Sequence, residues 1–289
     1  MSESAYRLAR PARLDTSVVF SSPHSGRDYA LDFLRQSVLD DRTIRSSEDA
    51  FVDLLYSEAP RFGAPLLTAV APRAYVDLNR DAVELDPAVV EGARQGGHNP
   101  RISSGLGVIP RVVANGRAIY RGKIPLSEAN ARLSRYWRPY HAQLQALLRD
   151  AHDRFGEAIL LDCHSMPRDA IETVTTRGRP RPDIVLGDRF GASAGAGVVD
   201  RVEAAFRAAG LRVSRNMPFA GAYITQRYGR PARGCHVVQV EIDRALYMDE
   251  TLIRPSSDFA GFRRLMGSVT ADLAQIGRAG EHALPLAAE

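Results

Sequence analysis

Lysine is almost missing from this chain: Lys123 is the only one in 289 residues, and arginine carries nearly all the positive charge. Cysteine is scarce as well. Cys163 and Cys235 alone cannot build a disulfide framework, and they fall short of the four soft ligands of a Cys-rich structural zinc site. Any metal must therefore be held by histidine and carboxylate. Long apolar runs are also lacking; Ala64–Val70 and Ala158–Leu161 are far too short to cross a bilayer. The opening Met-Ser-Glu-Ser-Ala-Tyr-Arg has no apolar stretch of the signal-peptide kind. These absences argue against a disulfide scaffold and a membrane protein, and lead to the expectation of a cytoplasmic chain with free thiols.

What is present is ordinary globular composition, 45% hydrophobic and 25% charged, with residues 1–289 expected to form a single catalytic domain. A net charge of +4 and a pI near 9.3 raise the question of nucleic acid. The arginines, however, are interspersed with acids as on a solvated surface. The exception, Arg177-Gly178-Arg179-Pro180-Arg181-Pro182, resembles the core of a minor-groove hook. A lone copy reads as a stiff surface loop, so no nucleic-acid partner is expected. Spread arginines can equally hold a small anionic substrate.

Apolar, β-rich segments alternate with amphipathic ones. The pattern predicts strands at Ser17–Ser21, Leu66–Ala69, Ala74–Leu78, Ala158–Asp162, Asp183–Leu186, Leu211–Val213 and His236–Ile242. It predicts helices at Ser47–Arg61, Leu126–Phe155, Ala194–Ala209 and Asp258–Ile276. Such alternation specifies an α/β fold with a parallel or mixed sheet, in which ligands gather where strands end.

Polar residues at those ends are the candidates for chemistry. His24 follows an apolar strand in the turn Pro23-His24-Ser25-Gly26. His164 ends Leu160-Leu161-Asp162-Cys163-His164, where alternation puts Asp162 on its own face as an orienting acceptor and turns Cys163 toward the core. Two such histidines suit a site of two His and one carboxylate with an open position for water. The carboxylate would come from Ser46-Ser47-Glu48-Asp49, from either acid. Read blandly, either histidine is a turn residue bonded to the backbone, and either acid merely complements a helix N-terminus. Arg73, Asn79 and Arg80 flank the segment Ala74–Leu78; adjacent Asn and Arg suit a carboxylate clamp, and Asp77 could fix an arginine. Glu241 closes the apolar run Val237–Val240, where partial desolvation would raise it toward a useful general base.

Taken together, these segments resemble the N-formylglutamate amidohydrolase family. The resemblance runs from Pro23-His24-Ser25-Gly26 through Asp77-Leu78-Asn79-Arg80, Gly105-Leu106-Gly107, Trp137-Arg138-Pro139-Tyr140-His141, Asp162-Cys163-His164-Ser165 and Gly221-Ala222-Tyr223-Ile224-Thr225 to Glu241–Met248. It implies a three-layer α/β/α fold with a central mixed sheet, the phosphorylase/hydrolase-like fold shared with zinc carboxypeptidases. It further implies Zn²⁺ on His24, Asp49 and His164, catalysis by Glu241 and Arg73, and substrate contacts from Asn79, Arg80 and Tyr223. The implied substrate is a small carboxylated amide such as N-formyl-L-glutamate. Two positions depart from the pattern. Position 27 is Arg27, where carboxypeptidases carry an acid, so the implied acid is Asp49, at the end of an Asp-x-Asp-like stretch. Gly221-Ala222-Tyr223 stands where some deformylases read Gly-Gly-His. Two readings outside this one remain: action on another N-acyl amino acid or formylated amide, and a non-catalytic metal- or ligand-binding protein of the same fold.

Overall fold

The structure, a computed structural model, describes residues 4–94, 99–172 and 181–278. Seven strands form its main sheet: β1 (Tyr6–Ala9), β2 (Val18–Ser22), β3 (Leu66–Ala69), β4 (Ala158–Met166), β5 (Ile184–Gly187), β6 (Val213–Arg215) and β7 (Cys235–Asp243). Their order across the sheet is β1-β3-β2-β4-β7-β5-β6. The central run β3-β2-β4-β7 is parallel, while β1 and β5 join it antiparallel, so the sheet is mixed as expected.

Burial of both sheet faces explains the near-continuous apolar runs in these strands. Val18, Phe20, Leu161, Val240 and Ile242 point toward helices α2 (Ala196–Ala208) and α3 (Phe259–Gln275). Val19, Leu160 and Val237 point the other way, onto Tyr140, Leu144 and Leu147 of helix α1 (Arg138–Phe155). Helix–sheet–helix layering follows. Helix α1 continues from the helix Leu126–Arg132 through a π-helical turn at Leu133–Trp137, within the helical span expected from sequence. Among the described residues, no helix is long and apolar enough to cross a membrane.

Three elements differ from expectation, each because backbone hydrogen bonds go elsewhere. Ala74–Leu78 is not a strand: Tyr75 N and Val76 N both donate to Pro72 O, a local turn. The expected helix Ser47–Arg61 shrinks to Val52–Leu55 and a 3₁₀ turn at Ala59–Phe62. Asp49 N donates to His24 O at 3.0 Å instead of joining a helix, and Phe51 takes a left-handed φ of 68°. Strand β6 begins only at Val213, since Leu211 N is used to close α2 onto Phe206 O. Strand β1, four residues of alternating exposure at the sheet edge, escaped the sequence pattern altogether. Within the arginine-rich loop, residues 173–180 lie outside the described residues; Arg181 pairs with Glu172 at 2.8 Å.

Candidate active site

Register decides which side chains meet. In the β4–β7 pair, Asp162 lies opposite Gln239 and His164 opposite Glu241. Because strand side chains alternate, all four share one face, at the carboxyl ends of the two strands. Neighbouring β2 ends at Ser22, and the turn after it brings in His24. That turn packs tightly against the next segment: a Cβ at Gly26 would lie 2.1 Å from Ala71 O, so glycine is required for close approach.

His24, Asp49 and His164 are all buried, and one ligand atom from each lies within 4.8 Å of the others. Asp49 Oδ2 sits 2.8 Å from His164 Nδ1 and 3.4 Å from His24 Nδ1. The opposite ring nitrogens are held by acids. His24 Nε2 is 2.7 Å from Asp77 Oδ1, and His164 Nε2 is 3.1 Å from Asp162 Oδ2. The second Asp49 oxygen accepts from Arg244 at 3.0 Å. Both Nδ1 atoms are thus aimed at Asp49 by partners behind them, the arrangement that orients imidazoles toward a metal. Among the described residues, His24 Nδ1 has no hydrogen-bond partner although it is fully buried. An orphaned imidazole nitrogen beside a carboxylate oxygen and a second imidazole fits a divalent cation of nitrogen/oxygen preference.

Glu48 is taken out of contention by its own bonds. Its carboxylate accepts from Tyr29 Oη at 2.7 Å and from Arg45 at 2.9 and 3.1 Å, leaving Asp49 to face the histidines.

The electrostatics follow from burial and pairing. Burial opposes ionisation of Asp49, yet the imidazoles of His164 and His24 beside it hold it well below the usual carboxylate range. Asp77 is likewise held low against burial, chiefly by His24 and Arg73. For Glu241 burial wins: with Asp49 it outweighs His164, Arg73 and Arg244 and pushes the carboxyl up to about 7. Gln239 donates to Glu241 Oε1 at 2.8 Å and accepts from Ala222 N at 3.1 Å, which fixes both the amide and the acid.

These groups line a cavity of about 540 Å³ that also exposes Arg73, Arg80, Arg101 and Arg244. Arg73 Nε donates to Asp77 at 3.0 Å, so Asp77 does fix an arginine, as its place in the sequence suggested. Two residues expected at the substrate sit differently. Asn79 lines the cavity, but its amide is committed: Nδ2 lies 3.2 Å from Asp162 and 3.1 Å from His164, and Oδ1 accepts from Ile224 N at 2.7 Å. Those bonds brace His164. Tyr223 is buried away from the cavity wall, its ring 5.9 Å from Trp137 and 5.4 Å from His141. Sequence reasoning missed Arg244 and Gln239, and it gave Asp77 a single partner where it has two. Pairings of residues separated by 53 and 195 positions leave no local signature.

A family profile described as N-formylglutamate amidohydrolase matches residues 16–248, which contain every residue of the site. The chain belongs to the N-formylglutamate amidohydrolase family. Two curated relatives are named N-formylglutamate deformylase. The one from Pseudomonas putida is 30% identical over 237 residues, covering 81% of this chain and 82% of its own. The one from Pseudomonas aeruginosa is 31% identical over 239 residues, with the same coverage. A crystal structure of an N-formylglutamate amidohydrolase from Ralstonia eutropha JMP134 superposes with a TM-score of 0.87 at 37% identity, over 93% of this chain and 97% of the other. An Agrobacterium tumefaciens protein shares the fold at a TM-score of 0.60 and 18% identity, over 92% of this chain and 94% of its own.

Proposed function

We propose that this chain hydrolyses the formyl amide of N-formyl-L-glutamate, releasing formate and glutamate, with one Zn²⁺ held by His24 Nδ1, Asp49 Oδ2 and His164 Nδ1. The observation that carries the reading is the meeting of one ligand atom from each of these residues within 4.8 Å, in one cavity with a buried Glu241. The names of the Pseudomonas and Ralstonia relatives support the substrate. Three protein ligands leave a position open, and a cation there would supply Lewis-acid activation of water and of the amide carbonyl.

The rest falls to the protein's own side chains. Glu241, near neutrality in its affinity for protons, removes one from the attacking water. Oxygen bonds to the formyl carbon, and negative charge builds on the carbonyl oxygen. Arg73 faces that charge; its Nε is tied to Asp77, and its terminal nitrogens have no partner among the described residues. The C–N bond breaks as Glu241 passes its proton to the leaving nitrogen. Arg80 holds a substrate carboxylate, with Asn79 keeping His164 in place.

Formate release from N-formyl-L-glutamate, compared with N-acetyl and other N-formyl amino acids, tests this reading. Turnover that stops with a chelator and returns with Zn²⁺ is expected. Turnover untouched by full metal removal would refute the metal role, and metal binding without hydrolysis of any of these amides would refute the enzyme.

A further inference from the structure

Four arginines reach the cavity, and they divide into two kinds. Arg73 is paired with Asp77 and Arg244 with Asp49, each at 3.0 Å, so their charge is answered within the protein. Arg80 and Arg101 have no ion-pair partner among the described residues. They are nevertheless linked through the backbone of one residue, Leu106. Arg80 Nε donates to Leu106 O at 2.9 Å, while Leu106 N donates to Arg101 O at 2.8 Å. Arg101 also sits on a helical turn capped by Asn99, whose side chain accepts from Arg101 N at 3.0 Å. Arg80 spends one further bond on position, with Nη1 donating to Asn79 O at 2.8 Å. The fold therefore holds two like charges on one cavity wall, where burial opposes the Arg80 charge, Asp77 and Glu84 favour it without forming an ion pair, and Arg73 and Arg101 oppose it. Such a pair is stable beside an anion that arrives with the ligand.

We infer that Arg80 and Arg101 form a two-carboxylate subsite, in which Arg80 takes the α-carboxylate and Arg101 takes the side-chain carboxylate of an acidic N-acyl amino acid. The assignment follows position: Arg80 adjoins Asn79, which touches His164, whereas Arg101 is linked to Arg80 through the backbone of Leu106 and makes no hydrogen bond or ion pair with the candidate ligands among the described residues. The inference rests on the hydrolase reading and deepens it, making Arg101 the residue that distinguishes glutamate from its neutral amide. A contact made to the non-reacting end of the substrate is present before and during reaction, so its loss acts on KM more than on kcat.

The test compares N-formyl-L-glutamate with its neutral isostere N-formyl-L-glutamine in zinc-loaded wild type, Arg101→Gln and Arg101→Lys. For Arg101→Gln, kcat/KM for the glutamate substrate should fall by on the order of 100-fold, mainly through KM, while the glutamine substrate changes less than about threefold. Arg101→Lys should recover part of the preference, since charge remains and the planar fork is lost. An unchanged preference for glutamate over glutamine in Arg101→Gln overturns the subsite and leaves the hydrolase reading intact. Calorimetric binding of glutarate, which has no amide to cleave, separates the two claims: binding that depends on Arg101 in a protein without turnover upholds the subsite and removes the hydrolase.

Discussion

Glu241 lies on a central strand between β4 and β5, where Gln239 donates to its carboxylate. Burial, helped by the nearby Asp49 charge, outweighs His164, Arg73 and Arg244 and lifts its carboxyl to about 7. Only the ionised form can take a proton, so kcat/KM should rise with pH and level off above the group's pKa. A bound divalent cation draws that pKa down, which places the acid limb of the profile at or below about 7. Glu241→Gln keeps shape and removes the base; kcat should drop by roughly 100- to 10,000-fold while metal content stays at wild-type level. A variant that retained its kcat would rule out proton transfer by this residue. Asp77 makes the complementary case. It holds His24 Nε2 at 2.7 Å and Arg73 at 3.0 Å, so it supports both the ligand and the charge facing the carbonyl. Asp77→Asn should weaken zinc binding by about 10- to 100-fold in competition with a chromogenic chelator. Unaltered zinc affinity would mean that His24 needs no orientation from behind.

At the scale of elements, helix α1 and the turn before it keep the segment 78–80 in place. Trp137 Nε1 donates to Arg80 O and His141 Nε2 donates to Leu78 O, both at 2.9 Å. The Trp137–His141 stretch is therefore a support for the cavity wall, which its sequence alone does not reveal. Periodicity identified the helix because α1 buries a regular apolar stripe, but it could not say what the polar members of the stripe hold. The same limit produced the false strand at Ala74–Leu78. Its alternating pattern is real, with Val76 and Leu78 buried, yet its backbone closes on Pro72 and pairs with no sheet edge. His141 has a measurable consequence. Burial pushes its pKa down to about 4, below the ordinary value of 6.5, so the folded form resists protonation. Between those values the unfolded chain binds more protons, and stability falls as pH drops from about 6.5 through about 4. At pH 5 the loss from this residue should be about 2 kcal/mol. Urea midpoints at pH 5 and pH 7 should converge in His141→Gln relative to wild type; an equal pH dependence in both proteins would exclude His141 as its source.

Across the whole molecule, the three candidate ligands come from segments that touch only in the folded state: the end of β2, the loop before Val52, and the end of β4. The histidines were legible in the sequence because strand ends in an α/β sheet are where ligands collect, and a polar residue ending an apolar run marks such an end. The choice between Glu48 and Asp49 was not legible from the residues themselves. It depends on Tyr29 and Arg45 turning Glu48 away and on Arg244, nearly two hundred residues on, taking the other Asp49 oxygen. A cation joining these segments binds the folded chain and finds no site in the unfolded one, so it must raise stability by mass action. With free Zn²⁺ a thousandfold above Kd the gain is about 4 kcal/mol, or roughly 5–15 °C in the unfolding midpoint of a chain this size. Asp49→Asn should unfold at the same temperature with and without Zn²⁺, whereas Glu48→Gln should retain most of the zinc-dependent shift. Scanning calorimetry of the three proteins, each with chelator and with zinc, tests the ligand set without reference to turnover. A full shift in Asp49→Asn together with none in Glu48→Gln would exchange the two acids and with them the geometry of the site.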